Sequence, residues 1–141
     1  MNGKRHGFTL VELAVVVVII GVLAAFAVPR FLASVERSKA AEAFNYLSSV
    51  QAAQERFHAR QGTYAADMKD LDIKMSTSKY FTAGTIAAGK TGNLEDSWTQ
   101  TLTRAGASAG YGEYTVTFTE EGYDGENSTI STHNDINPMQ T

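Results

Sequence analysis

The strongest constraint on this chain is an apolar run near its N-terminus. Residues 8–28 read FTLVELAVVVVIIGVLAAFAV, and Glu12 is the only charged residue among them. An α-helix over these positions spans roughly 32 Å, and the hydrocarbon core of a bilayer is about 30 Å thick. The run is therefore predicted to cross a membrane once, with the preceding cations Lys4 and Arg5 on the cytoplasmic side.

The small residue Gly7 lies before the apolar run rather than after it. A secretory signal peptide has its cleavage site after the apolar stretch and is discarded. Cleavage after Gly7 would instead remove residues 1–7 and leave the apolar helix on the mature protein. Such a cut would divide the chain into a leader over residues 1–7, an apolar helix over residues 8–29, and a globular domain over residues 30–141 that includes the second half of the helix.

Glu12 admits two interpretations, because a charged side chain costs about 2.5–3.5 kcal/mol at the centre of a membrane helix and less near the interface. In the first, Glu12 is solvated at the interface, near a helix N-terminus whose dipole favours an anion. In the second, it pairs with the α-amine that cleavage would create on Phe8, in its own chain or in a neighbouring subunit. A neighbour's amine would set the register of assembly.

The segment GFTLVE at residues 7–12, followed by an apolar run, resembles the class III signal of type IV pilins and of the related type II secretion pseudopilins. Gly21 and Pro29 also fall where that family usually has a helix-weakening glycine and proline, since both residues weaken the helical hydrogen-bond ladder. The resemblance implies that a prepilin peptidase cuts between Gly7 and Phe8 and N-methylates Phe8. It also implies that Glu12 guides the docking of subunits.

The resemblance further implies where the protein is found and what it meets. The precursor would wait in the bacterial inner membrane as a single-pass protein. A pilus assembly platform with a cytoplasmic ATPase would then extract the processed subunit into a helical homo-oligomeric filament. That filament would be an extracellular pilus, or a short periplasmic one if the chain is a pseudopilin.

Beyond Pro29, residues 30–61 contain neither proline nor glycine and are rich in helix formers. Apolar residues recur every three or four positions and form one predicted face: Ala40, Ala43, Phe44, Leu47, Val50 and Phe57. Charged residues are assigned mostly to the other faces: Glu36, Arg37, Lys39, Glu42, Glu55 and Arg56. Gly62 is predicted to end the helix. The expected fold is α+β: a pilin fold with one long kinked helix over about residues 8–61, packed by its C-terminal half against a small antiparallel β-sheet.

The strands are predicted from alternation and from the glycines between them. Residues 80–86 and 98–103 are strand candidates, and residues 113–119 are the best one because Tyr114, Val116 and Phe118 alternate with threonines. This alternation predicts a sheet with one covered face. A weak fourth strand is predicted at residues 128–132. Residues 63–78 are predicted to be a loop with a short turn at 67–71, and residues 133–141 an irregular tail.

Composition excludes several classes of function. The net charge is −3, and losing Lys4 and Arg5 with the leader would make it −5, so broad nucleic-acid binding is not expected. The chain has no cysteine. Many type IV major pilins close their C-terminal loop with a disulfide, so this chain must hold that region by packing, hydrogen bonds or a metal. Pseudopilins typically lack the disulfide as well, which keeps them as the alternative.

Catalysis is not expected, because His6, His58 and His133 are not joined by any nucleophile, metal-ligand or phosphate-binding pattern. The C-terminal stretch does contain oxygen ligands of the type that calcium prefers. The calcium candidates are Asp124, Glu126 and Asp135, although their spacing does not fit an EF-hand loop. The simpler reading is a solvated acidic loop with no bound metal and no cofactor.

Two functions are compatible with these features. The leading one is the major structural subunit of a type IV pilus, polymerised through its apolar helix for adhesion or motility. The alternative is a type II secretion pseudopilin that forms a short periplasmic filament. A single-pass binding domain that never polymerises would explain the apolar run, but it gives no reason for Gly7 before Phe8 or for Glu12.

Overall fold

The structure is a computed structural model that describes residues 3, 6–76 and 78–140, so Lys4 and Arg5 lie outside the described residues. Helix α1 spans Leu10–Gln61, which confirms the predicted long helix with a start two residues later than expected. The chain divides into a unit that ends at Leu32 and a unit that begins at Ala33.

The N-terminal unit consists mainly of the first part of α1. Its apolar side chains are exposed on every side of the helix, from Leu10 at 86% to Phe31 at 67%. The most apolar 18-residue stretch of helix α1 has no buried residue. By length and composition the helix is sufficient to cross a membrane. Pro29 lies inside the helix, and the kink expected there stays a prediction.

Helix α1 ends where the sequence predicts. Gly62 has a φ of +74°, and its N–H donates to the carbonyl oxygen of His58 at 2.8 Å. A residue in this left-handed conformation closes the last turn of a helix, and glycine adopts it without a steric penalty.

The C-terminal unit contains a five-stranded antiparallel sheet. Its strands are β1 (Phe81–Ala83), β2 (Ala87–Ala88), β3 (Trp98–Arg104), β4 (Thr115–Thr119) and β5 (Gly122–Tyr123). Strand β3 is central: β1 and β2 pair with different parts of it, and β4 pairs with it over residues 99–103. Strand β5 pairs with β4 and completes the order β1-β3-β4-β5. The predicted strands 98–103 and 113–119 are confirmed. Of the predicted strand 80–86 only Phe81–Ala83 is a strand, and β2 lies just beyond it.

The second half of α1 covers one face of this sheet. The rings of Phe44 on α1 and Phe118 on β4 meet edge to face, with centroids 5.8 Å apart. Five of the six residues of the predicted helix face are buried, and Phe57 is half-buried. The inward residues of β3 alternate with threonines: Trp98, Gln100, Leu102 and Arg104. The core therefore lies between helix and sheet, as the alternation predicted.

The prediction that Glu36 belongs to a polar helix face is wrong. Its side chain is 1% exposed because the guanidinium of Arg104 and the hydroxyl of Tyr114 bind its carboxylate inside the core. Periodicity could not reveal this, since Arg104 lies far away in sequence.

The predicted fourth strand at residues 128–132 is also wrong, because Thr129–Thr132 form a 3₁₀ helix. Side-chain oxygens accept the hydrogen bonds from the N–H groups of β4 that the predicted fourth strand would have accepted. The N–H of Thr117 donates to Oγ of Ser128 at 2.8 Å, and the N–H of Thr115 donates to Oγ1 of Thr129 at 2.8 Å. The sequence predicted a sheet with only one covered face. This segment also covers part of the second face and leaves Thr117 only 3% exposed.

The other two loop expectations are confirmed in the described residues. A 3₁₀ turn at Met68–Asp70 lies inside the predicted turn. Residues 133–140 have no helix or strand, although Ile136 and Asn137 are fully buried.

Candidate processing and assembly site

The predicted cleavage point lies in an open segment. Gly7 and Phe8 precede α1 and belong to no helix or strand. Phe8 is 91% exposed. A Cβ added at Gly7 would meet no atom of the described chain within 4 Å, so local packing does not explain a glycine there.

Thr9 and Glu12 form a reciprocal cap at the start of α1. The backbone N–H of Thr9 donates to Oε2 of Glu12 at 2.8 Å, and the N–H of Glu12 donates to Oγ1 of Thr9 at 3.1 Å. The carbonyl oxygen of Thr9 accepts the first helical hydrogen bond, from the N–H of Leu13 at 3.1 Å. Thr9 is therefore the N-cap residue and Glu12 the third helical residue of a capping box.

This cap was missed in the sequence, although Thr-x-x-Glu before an apolar run is its known signature. It supplies an acceptor for two backbone donors that the helix cannot satisfy itself. The position of Glu12 in the first turn agrees with the first interpretation of this residue, in which the helix N-terminus favours an anion. The second interpretation, a pair with the α-amine of Phe8, concerns a cleaved chain and stays a prediction.

A second cluster of charged groups lies in the core of the C-terminal unit. Nε of Arg104 donates to Oε1 of Glu36 at 2.6 Å, and Nη2 donates to Oε2 at 3.2 Å. The hydroxyl of Tyr114 donates to Oε1 at 2.7 Å, and Nζ of Lys39 lies 3.6 Å from Oε2. The remaining donors of Arg104 bind the carbonyl oxygens of Tyr80, Ala105 and Ala107.

The protonation states of this cluster follow from its contacts. Burial alone raises the pKa of Glu36, but hydrogen bonds from Arg104 and Tyr114 and the charges of Arg104 and Lys39 outweigh burial and hold that pKa below 4.5. Burial and the neighbouring carboxylate raise the pKa of Tyr114 above 10. Glu36 is thus ionised and Tyr114 neutral at physiological pH, as the hydrogen bonds require. The cluster ties helix α1 to strand β3 and to the loop that follows it.

The calcium candidates are not brought together into a metal site. Among the described residues, no group of three or more His, Cys, Asp or Glu side chains is placed to hold a metal. Both carboxylate oxygens of Asp124 accept hydrogen bonds from the segment itself, at 3.1 Å from the N–H of Glu126 and at 2.7 Å from Nδ2 of Asn127. The carboxylate of Asp135 accepts a hydrogen bond from the hydroxyl of Tyr111.

Packing and hydrogen bonds hold the C-terminal segment of this chain, which has no cysteine. Ile130 and Ile136 are fully buried. Asn137 is buried as well: its Nδ2 donates to the hydroxyl of Tyr123 at 3.4 Å, and its Oδ1 accepts from the N–H of Met139 at 3.0 Å. Arg37 on α1 donates to the carbonyl oxygen of Gln140 at 3.4 Å.

The histidines do not form a catalytic arrangement. His58 stacks on Tyr64 with ring centroids 4.4 Å apart, and its Nε2 lies 2.9 Å from the carbonyl oxygen of Glu95. His133 packs edge to face on Tyr111 and Tyr114. Both rings therefore serve packing.

Comparison with known proteins identifies the N-terminal segment. Residues 2–28 match the family described as the prokaryotic N-terminal methylation motif. The chain is 44% identical over 64 residues to the type IV major pilin protein PilA of Myxococcus xanthus, covering 45% of this chain and 29% of the relative. It is 34% identical over 91 residues to the fimbrial protein EcpC of Eikenella corrodens, covering 64% of this chain and 60% of the relative. This chain has the prepilin-type N-terminus of the type IV pilin superfamily.

The prepilin-type N-terminus confirms the resemblance inferred from the sequence. A type IV major fimbrial protein FimA of Dichelobacter nodosus is 55% identical over 42 residues, which cover 30% of this chain and 26% of the relative. The chain thus spans between about a quarter and three fifths of the length of these relatives. No solved structure matches the chain.

Proposed function

We propose that this chain is the major structural subunit of a type IV pilus. The observation that carries the proposal is the prepilin-type N-terminus followed by a helix whose apolar side chains are exposed on all sides. Soluble proteins rarely expose contiguous apolar surface of this extent. Lipid can cover this surface before assembly, and identical helices can cover it afterwards.

The proposed processing follows the boundaries predicted from the sequence. A prepilin peptidase removes residues 1–7 and N-methylates Phe8, so residues 8–29 become the stem of the mature subunit and residues 30–141 its globular domain. The open segment at Gly7 and the exposed Phe8 support this assignment because a protease must reach the bond between them. Gly21 and Pro29 are the proposed points at which the stem loses helical order in the filament.

Glu12 is the proposed register residue of assembly. The α-amine released on Phe8 of one subunit pairs with the carboxylate of Glu12 in the next. The stem has no other charge between Phe8 and Val28. Neighbouring stems could therefore pack at many axial offsets and bury a similar apolar area. A single ion pair in a low-dielectric environment selects one of them, because a carboxylate left unpaired there is costly.

The proposed partners are those of a filament subunit. The precursor resides in the inner membrane, meets the prepilin peptidase there, and is extracted by a pilus assembly platform with its ATPase into an extracellular homo-oligomer. The names of the relatives, a major pilin and fimbrial proteins, support a structural protein rather than an enzyme.

Electron microscopy of the cell surface tests the proposal. Cells that carry the gene should display fibres labelled by an antibody against the globular domain, and deletion of the gene should remove them. Restoring the gene should restore the fibres. A processed subunit confined to the cell envelope, with defective protein export on deletion, would instead identify a pseudopilin.

A further inference from the structure

The reciprocal cap of Thr9 and Glu12 fixes the start of α1 immediately after the predicted cleavage point. Thr9 is the last residue outside the helix, and the peptide bond between Gly7 and Phe8 lies one residue further out. The two capping hydrogen bonds link these residues in both directions, at 2.8 and 3.1 Å. The helix boundary is thus set by side chains and not by the apolar pattern.

The boundary matters because a peptide bond inside a helix is a poor protease substrate. Proteolysis concentrates where backbone is exposed and free of regular structure. Without a cap, the first N–H groups of α1 lack acceptors. Extension of the helix towards the N-terminus supplies them with carbonyl acceptors and moves the unpaired donors outwards, away from the hydrocarbon region where unpaired groups are costly. Such an extension would draw Phe8 and Gly7 into the first helical turn.

We propose that Thr9 is a positioning residue for prepilin processing: its hydroxyl stops the helix at residue 10 and keeps the bond between Gly7 and Phe8 outside the helix, where the peptidase can reach it. This inference rests on the proposed function, since it presupposes that the chain is processed there. It assigns Thr9 a role that the apolar stem alone does not require, because Thr9 is exposed and packs in no core.

The same geometry separates two roles of Glu12. The cap needs an acceptor oxygen at this position, which glutamine supplies as well as glutamate. The register pair with the α-amine of Phe8 needs a negative charge, which glutamine does not have. Processing therefore depends on an oxygen at residue 12, whereas assembly depends on a carboxylate.

The experiment measures cleavage of the full-length precursor, in detergent micelles, by a purified prepilin peptidase. Mass spectrometry of the products gives the cleavage position and the initial rate. Thr9→Val removes the hydroxyl at nearly constant shape, and Thr9→Ser keeps it. We expect Thr9→Val to raise KM by up to about fivefold with little change in kcat, since an N-cap is worth about 1 kcal/mol, which is about fivefold in the population of the cleavable form. Thr9→Ser should behave like the parent.

Variants at Glu12 complete the test. Glu12→Gln should be cleaved like the parent and fail to assemble into filaments, whereas Glu12→Val should be cleaved more slowly and also fail to assemble. The fluorescence of Trp98, buried in the other unit, checks that the globular unit is intact in every variant.

The outcomes distinguish this inference from the proposed function. Normal cleavage of Thr9→Val, or equal slowing of Thr9→Ser and Thr9→Val, would overturn the positioning role while leaving the pilin assignment intact. Cleavage of Glu12→Gln as slow as that of Glu12→Val would also overturn it. A parent precursor that the peptidase does not cut after Gly7 would overturn the proposed function itself and this inference with it.

Discussion

Nε of Arg104 and Oε1 of Glu36 are 2.6 Å apart, in a pair whose two side chains are each 1% exposed. The pair joins helix α1 to strand β3, which are 68 positions apart in the sequence at these two residues. A buried ion pair is not by itself stabilising relative to apolar residues, but breaking one leaves a buried charge without a partner. The orientation of the helix on the sheet therefore depends on both residues being present.

Removal of the carboxylate should destabilise the C-terminal unit strongly. We expect Glu36→Ala to lower its free energy of unfolding by about 3–5 kcal/mol, because the guanidinium of Arg104 stays buried and unpaired. Trp98 is the only tryptophan in the sequence and is fully buried, so its fluorescence during urea unfolding of the full chain in mild detergent reports on this unit. A double change of Glu36→Leu with Arg104→Met should recover most of the loss.

Glu42 provides the matched control for this prediction. It lies on the same helix but is exposed, and Glu42→Ala should change the free energy of unfolding by less than about 0.5 kcal/mol. Equal effects of the two alanine substitutions would contradict a structural role of the buried pair.

The buried carboxylate also predicts how stability depends on pH. The pKa of Glu36 in the folded unit lies below the 4.5 of an unfolded glutamate, so its stabilising contribution is fully present above about pH 4.5 and is lost as the pH falls through the folded-state value. The parent should lose stability on acidification over this range more steeply than Glu36→Gln. Urea midpoints measured by Trp98 fluorescence at several pH values between neutral and acidic test this, and parallel curves for the two chains would refute it.

The C-terminal segment should depend on apolar packing. Ile136 is fully buried, and Ile136→Ala should lower the free energy of unfolding by about 2–5 kcal/mol because it leaves a cavity. Met139, three residues further on, is 61% exposed. Met139→Ala should therefore change the free energy of unfolding by less than about 0.5 kcal/mol. Similar values for both substitutions in thermal unfolding would show that the segment is not anchored through Ile136.

Calcium should have little effect on this protein. Asp124 already accepts N–H donors on both carboxylate oxygens, and hydrogen bonds from Asn127 help to lower its pKa. Millimolar calcium or a chelator should leave the unfolding temperature unchanged. A rise with calcium that is lost in Asp124→Asn would instead demonstrate a metal site in this loop.

The sequence predicted those parts of the fold that local patterns determine. The apolar run, the Gly62 stop and the alternation around Val116 each depend on neighbours within one element, so the long helix and the two main strands followed from them. The apolar side chains of the stem are exposed, as expected of a helix that lipid or identical helices would cover.

The sequence did not predict the features that depend on long-range contacts. Glu36 is charged, and charged residues are almost never fully buried unless they are paired. Its partners Arg104 and Tyr114 could not be identified from spacing. The hydroxyls of Ser128 and Thr129 likewise accept hydrogen bonds from backbone N–H groups of β4, where a further strand would have paired. Composition cannot distinguish pairing with side chains from pairing with a strand. The Thr9–Glu12 cap is a local feature that was not predicted, although its Thr-x-x-Glu signature is present in the sequence.

The mass of the N-terminal peptide of the subunit, isolated from sheared surface fibres, tests the central claim most directly. The account predicts a peptide that begins at Phe8 and carries one added methyl group, with residues 1–7 absent. Fibres whose subunits retain residues 1–7, or a chain found only as the uncleaved form in the membrane, would contradict it.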